Sequence, residues 1–193
     1  MDVGQLMAEQ GGVLARYQAL IAGMSDAEVD ARVADGAWST VHPGVYAVHG
    51  APFSWHERAW AGVLACWPAA LTHESALRAA EGPGRRGRDE SVVHVAVARG
   101  RNVTTPAGVV VHLLHKFDPR VSWESGPPRM RYEEAVVDCA AEAATDDDVR
   151  ALLLDTCGGR GPTRVLVREA LARRTKHPRR ALVNRVLREL DRA

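Results

Sequence analysis

Residues Leu14–Tyr46 read LARYQALIAGMSDAEVDARVADGAWSTVHPGVY, and this stretch decides the expected fold of the N-terminal part of the chain. Apolar residues at helical spacing predict a helix over about 14–22, and Gly23 marks a turn after it. Alternating residues on both sides of Pro43-Gly44 predict a β-hairpin. A helix pair followed by a small hairpin is typical of a winged helix-turn-helix, which is a DNA-binding module.

A further helix is expected between the turn and the hairpin, because Ser25 and Glu28 have the spacing of a capping box. This helix carries four acidic residues against one arginine: Asp26, Glu28, Asp30 and Asp35 against Arg32. Phosphate neutralisation supplies most of the non-specific affinity for DNA, so four acids oppose binding. The shape of the stretch therefore predicts DNA binding and its charge does not. A three-helix scaffold without a DNA partner is the alternative.

The composition is that of a folded protein with room for one medium domain or two small ones. The chain has 193 residues, of which 46% are hydrophobic and 25% are charged. Its three cysteines, Cys66, Cys139 and Cys157, are far apart and odd in number, so no disulfide framework or zinc-binding spacing is predicted. The first residues lack the basic segment of a secretory signal. A cytoplasmic location is the expectation.

The formal net charge of +1 hides an uneven distribution along the chain. Residues 1–50 contain two arginines and six acids, whereas residues 160–193 contain eleven basic residues and three acids. A nucleic-acid footprint is therefore expected mainly at the C-terminal end.

The Gly50-Ala51-Pro52 segment is the best candidate for a domain boundary. We expect an α+β protein, with a winged helix-turn-helix domain over 1–50 and an α/β domain with a small sheet over 51–193. Two valine-rich segments, Ser91–Ala98 and Gly108–His115, predict strands, and a short helix is expected to start at about Leu71. Helices that end the second domain are predicted at about 131–143, 146–156, 162–172 and 178–192.

The sequence contains no motif of a common catalytic site. A nucleophile elbow, a phosphate-binding glycine loop and a His-Glu-x-x-His motif are all missing from it. His112 and His115 lie three residues apart, which places them on opposite faces of a strand and argues against a shared metal ion. We therefore predict no enzyme activity, no cofactor and no metal site.

Six segments together resemble a known family. They are GGVLARYQALIAGMS (11–25), GAWSTVHPGVYAVHG (36–50), LTHESAL (71–77), SVVHVAVARGRNV (91–103), AGVVVHLLH (107–115) and PPRMRYEEAVVDCA (127–140). In this order they resemble the AbiEi-type antitoxin family of type IV toxin–antitoxin systems, in its actinobacterial form. The tryptophan followed by Pro-Gly-Val-Tyr is the most specific part of the resemblance, which spans nearly the whole chain.

The resemblance implies an N-terminal winged helix and a C-terminal α/β domain. It also implies a regulator that represses its own operon and counteracts a nucleotidyltransferase-like toxin, without necessarily binding that toxin. Many similar proteins continue into an endonuclease-like domain after a last basic helix, at a position close to Ala193 here. The nuclease activity of those proteins is therefore not expected of this chain.

Double-stranded operator DNA is the expected partner, and no membrane is expected to take part. In the N-terminal domain the candidate DNA-binding residues are Arg16, Gln18, Ser25, Arg32, Ser39, Thr40 and His42. In the basic C-terminal part they are Arg173, Arg174, Lys176, Arg179 and Arg180, which are expected to contact phosphates.

Two other functions remain open from the sequence. One is a protein-interaction module whose acidic N-terminal domain pairs with a basic surface, in a partner or in the chain's own C-terminal helices. The other is the non-catalytic part of a nuclease-type protein.

Overall fold

The computed structural model describes residues 2–82, 91–159 and 162–192. Its helices are α1 (Val3–Glu9), α2 (Arg16–Ile21), α3 (Asp26–Ala34), α4 (Trp55–Ala65), α5 (His73–Glu81), α6 (Tyr132–Glu142), α7 (Asp146–Cys157), α8 (Thr163–Ala172) and α9 (Arg180–Arg192). A 3-10 turn covers Asp118–Arg120. Within these described ranges, every helix is too short or too polar to cross a bilayer.

The strands form two separate sheets. Their bounds are β1 (Val13–Ala15), β2 (Ser39–His42), β3 (Val45–Ala47), β4 (Ala70–Leu71), β5 (Val93–Ala98), β6 (Val109–Leu114), β7 (Val121–Ser122) and β8 (Arg129–Met130). The first sheet has the order β1-β3-β2 and is antiparallel; the second has the order β6-β5-β4-β8-β7 and is mixed. The expected combination of helices with a small sheet and a helical C-terminal end is confirmed.

The elements of residues 2–50 form largely where local residues predict them. Ser25 caps α3 and Glu28 returns the hydrogen bond, while β2 and β3 meet at Pro43-Gly44, where Gly44 has φ +73°. The expected start of the second helix at Leu14 is wrong. Leu14 lies in β1 and pairs with Tyr46, because the buried β1 adds a third strand to the hairpin.

The second sheet lies between helices. On one face, Gly62 of α4 lies so close to Val93 and Val109 that an added Cβ would come within 3.4 Å and 3.2 Å of their side chains. Alternation along the paired strands directs the side chains of His94 and His112 to the other face, towards α5, which packs on β5 and on α6. The expected helix start at Leu71 is wrong, because Leu71 pairs with β5 and β8 as part of β4.

Helices α7 and α8 pack on α6, and α9 packs on α7 and α8; α6 carries a buried carboxylate, Glu134, which is 1% exposed. Its oxygens accept hydrogen bonds from Arg120 at 3.0 Å, Arg173 at 3.1 Å and Arg174 at 2.5 Å. One turn along α6, Asp138 pairs with Arg174 at 2.8 Å and also with Arg120. These ion pairs join the 3-10 turn, α6 and the segment after α8, so the basic C-terminal end is partly neutralised inside the fold.

We expect Glu134→Gln to lower the free energy of unfolding by about 3 kcal/mol, because it leaves arginine charges buried without their counterion. Urea unfolding at neutral pH measures this. Glu189→Gln is the matched control, since Glu189 and Arg150 form an exposed pair at 3.4 Å whose loss should change stability by less than about 0.5 kcal/mol. Equal effects of the two changes would contradict a central role for Glu134.

The same carboxyl predicts an acid dependence of stability. Burial by itself raises the pKa of Glu134, but the charges and hydrogen bonds of its arginine partners, Arg174 first, outweigh burial and lower that pKa. A carboxyl with a lowered pKa stabilises the fold fully above its unfolded pKa of about 4.3, and this stability is lost as the pH falls through the folded pKa. The stability difference between wild type and Glu134→Gln should thus be constant above about pH 5 and shrink below it. Urea titrations over a pH series measure this.

Candidate functional site

The α2–α3 pair is held together by Arg16, one of the candidate DNA-binding residues. Its guanidinium pairs with Asp26 at 2.5 Å and with Asp30 at 2.7 Å, and it donates a hydrogen bond to the hydroxyl of Tyr46 at 3.3 Å. The hydrogen bonds to Asp30, Tyr46 and Asp26 raise the pKa of Arg16. Two of the three acids of α3 therefore have an internal counterion, and Arg16 links both helices to β3.

Two other candidates, Gln18 and Ser25, are occupied by helix capping. The side chain of Gln18 accepts a hydrogen bond from the backbone N–H of Ala15 at 3.0 Å, at the start of α2. The hydroxyl of Ser25 accepts a hydrogen bond from the backbone N–H of Glu28 at 3.3 Å and donates a hydrogen bond to the Glu28 carboxylate at 2.7 Å. Both side chains hold the ends of short helices in place, which orients α2 and α3.

The remaining candidates of this region lie on α3 and on the edge strand β2. Arg32 is exposed, and its guanidinium makes no hydrogen bond or direct ion pair to the residues that the structure describes, although its charge helps to lower the pKa of Glu28. Thr40 is exposed, whereas Ser39 and His42 are half-buried. Burial lowers the pKa of His42, so its imidazole is neutral at neutral pH. These four candidates thus offer one cation and three neutral hydrogen-bonding groups, beside the exposed acids of α3.

Four of the five C-terminal candidates are engaged within the chain. Arg173 and Arg174 pair with Glu134, Arg179 pairs with Asp146 and donates to the carbonyl of Ala143, and Arg180 donates to the carbonyls of Leu171 and Arg174. The fifth, Lys176, is exposed. Their side chains satisfy helix ends and buried acids, which local charge counting along the sequence does not reveal.

A basic face of α9 is more open than these candidates. Arg185, Arg188 and Arg192 are exposed, and none of their guanidinium groups has a hydrogen bond or ion pair among the described residues. Their spacing of three and four residues places them on one side of the helix, opposite the buried stripe Leu182, Val183, Val186, Leu187 and Leu190. The sequence alone could have identified these three arginines as exposed, because the apolar stripe of the helix identifies the opposite face as solvent-exposed.

A histidine cluster that the sequence did not predict lies between the second sheet and its helices. His73 is the first residue of α5, His112 lies in β6 and Glu142 ends α6. The rings of His73 and His112 stack with centroids 3.9 Å apart, and Nδ1 of His94 lies 3.0 Å from Nε2 of His112. These three elements therefore bring two imidazoles and a carboxylate together, a set that can hold a metal ion.

The surroundings of His73 favour its neutral imidazole. Burial, followed by the nearby charges of His112, His94 and Arg120, lowers the pKa of His73 to about 2. His73 also has a positive φ of 49°, an uncommon conformation for a residue other than glycine, so its side chain is held in place at a backbone cost.

The sequence-based comparison of His112 with His115 could not find this cluster. β6 ends at Leu114, so His115 lies outside the strand, and the true neighbours of His112 come from α5 and β5. The parallel register of β5 and β6, in which Ala96 pairs with His112, places His94 and His112 on the same face. That register depends on tertiary pairing, and spacing along one strand does not report it.

Replacing Arg16 tests its role in holding α2 and α3 together. We expect Arg16→Ala to increase the amide exchange rates of α3 and to lower the melting temperature, because Asp26 and Asp30 are then left as repelling neighbours. Hydrogen exchange followed by mass spectrometry measures this. Arg32→Ala is the control, since the Arg32 guanidinium makes no direct ion pair with the described residues and only a more distant attraction to Glu28, so it should change exchange in α3 much less than Arg16→Ala does.

Comparison with known proteins does not assign the chain to a family: no model of a protein family matches the sequence, and a search of curated proteins gives no match either.

Proposed function

We propose that the chain is a DNA-binding transcriptional regulator whose residues 2–50 act as a winged helix-turn-helix. The observation that carries the proposal is the order of elements α1–β1–α2–α3–β2–β3, with a three-stranded sheet of order β1-β3-β2. Only four residues separate α2 from α3, and β2 and β3 are joined at Pro43-Gly44. In this proposal α3 is the recognition helix and the β2–β3 hairpin is the wing.

The charges of α3 oppose DNA less than their number suggests. Asp26 and Asp30 pair with Arg16, and the carboxylate of Glu28 accepts hydrogen bonds from Ser25. In the proposed complex Arg32 contacts phosphate, and Ser39, Thr40 and His42 contact the duplex from the wing. In this proposal residues 2–50 mainly orient the protein on the duplex and contribute less to the binding affinity.

Phosphate affinity is assigned to the open cations of the C-terminal part. The basic face of α9, together with Lys176, replaces the paired arginines as the expected contact surface, because a cation without an internal counterion can neutralise a phosphate at no cost to the fold. The proposed regulator needs no catalytic step.

The resemblance to AbiEi-type antitoxins narrows this proposal. A member of that family would repress its own operon and counteract a nucleotidyltransferase-like toxin, without necessarily binding it. A toxin gene beside that of this chain distinguishes an antitoxin from a repressor of other genes, and it is the most informative observation outside the molecule.

A protein-interaction role is the second candidate, favoured by the surface beside α3. Ile21 at the end of α2 is 83% exposed and Leu20 is also exposed, and the acids Asp26 and Asp35 are exposed at the two ends of α3. Exposed apolar side chains in a segment that also exposes acids suit a partner with a basic, partly apolar surface.

DNA binding is tested by a gel-shift titration on the chain's own upstream region at several salt concentrations. We expect a shift at low salt, and the triple change Arg185→Ala, Arg188→Ala and Arg192→Ala should reduce the slope of log K against log salt by about 2.7, at about 0.9 per phosphate contact. Arg32→Ala should weaken binding as well.

Arg99→Ala is the control, because Arg99 is an exposed arginine outside both proposed contact surfaces. It should leave the affinity unchanged. A missing shift at low salt would overturn the DNA-binding proposal. If the wild type gives no shift but a variant at Ile21 or at an acid of α3 does, the result would favour the protein-interaction candidate, in which the acidic N-terminal domain pairs with the chain's own C-terminal helices.

A further inference from the structure

The histidine cluster has the separations expected of a metal site. Nε2 of His73 lies 3.3 Å from Oε1 of Glu142, and Nδ1 of His112 lies 3.5 Å from the same oxygen. Donor atoms around a tetrahedral ion, each about 2.0–2.1 Å from it, lie about 3.3–3.4 Å apart. All three donor atoms lie within 4.8 Å of one another, so small movements of the side chains close the site around one ion.

The outer nitrogens of both rings are also held. Nδ1 of His73 lies 3.2 Å from the hydroxyl of Thr72, which is fully buried, and Nε2 of His112 lies 3.0 Å from Nδ1 of His94. When the inner nitrogens face an ion, the outer nitrogens carry the protons and donate to these partners. Metal-binding histidines usually have such a partner, which fixes the tautomer and the ring orientation.

The donor set identifies the class of ion. Two imidazoles and one carboxylate suit Zn²⁺ and its first-row neighbours, whereas Mg²⁺ and Ca²⁺ prefer oxygen donors. The side chain of Glu142 is 60% exposed while that of His73 is 6% exposed, so the site opens towards solvent on the carboxylate side. A fourth position therefore remains for water or a small ligand.

We propose that His73, His112 and Glu142 bind one divalent transition-metal ion of the Zn²⁺ class, with His94 and Thr72 as positioning residues. The ion joins α5, the edge strand β6 and the end of α6. The proposal is independent of DNA binding, since none of these residues belongs to the proposed DNA-contact surfaces.

The test uses the full chain without an affinity tag, titrated with ZnCl₂ by calorimetry and with CoCl₂ by visible absorption. We expect one ion per chain, the absorption bands of tetrahedral Co²⁺, and a melting temperature raised by roughly 5–10 °C at a hundredfold excess over Kd. Glu142→Gln and His112→Ala should each weaken Zn²⁺ binding at least tenfold. His94→Ala should weaken it by about 10–100-fold while keeping the stoichiometry.

His115→Ala is the matched control, because it removes an exposed histidine that lies just beyond β6 and outside the cluster. It should bind Zn²⁺ like the wild type. Glu142→Gln keeps the test informative if His112→Ala does not fold, since Glu142 is exposed. The proposal is overturned if Zn²⁺ produces no thermal shift, or if folded Glu142→Gln binds it with wild-type affinity.

Discussion

The buried carboxylate of Glu134 organises the C-terminal half of the molecule. A charge that is 1% exposed needs counterions and hydrogen bonds, and Arg120, Arg173 and Arg174 provide both. Arg174 also reaches Asp138, one turn further along α6. The segment after α8 therefore has to dock on α6, and the helices on both sides of that segment follow. Much of the positive charge that would attract nucleic acid in an extended tail is required inside the fold.

The same principle operates at the N-terminal end with the signs reversed. There the excess charge is acidic, and Arg16 serves as the internal cation for Asp26 and Asp30. These pairs lie between α2 and α3, so the side of α3 that remains open carries Arg32 and fewer uncompensated acids than its sequence suggests. A patch of like charge therefore predicts a binding partner only to the extent that its residues are not paired with counterions inside the fold.

Local chemistry made most elements of the fold predictable. The Ser25–Glu28 capping box, the turn at Pro43-Gly44 and the valines of β5 and β6 each specify structure within a few residues, and the structure has the corresponding elements. The errors fall where long-range pairing decides. β1 and β4 are only three and two residues long, so the strands they pair with, and not their own sequence, set their conformation.

The candidate sites also divide into features that the local sequence predicts and features that long-range contacts decide. Spacing along one strand argues against His112 and His115 sharing an ion, yet it is silent about His73, His94 and Glu142, which come from three other elements. Conversely, Arg173, Arg174, Arg179 and Arg180 satisfy every sequence criterion for phosphate contacts and are used as internal donors. On α9, by contrast, the apolar stripe is visible in the sequence, and Arg185, Arg188 and Arg192 lie opposite it. Periodicity therefore separates solvent-facing cations from structural ones within a helix, whereas counterions from distant elements are visible only in the folded chain.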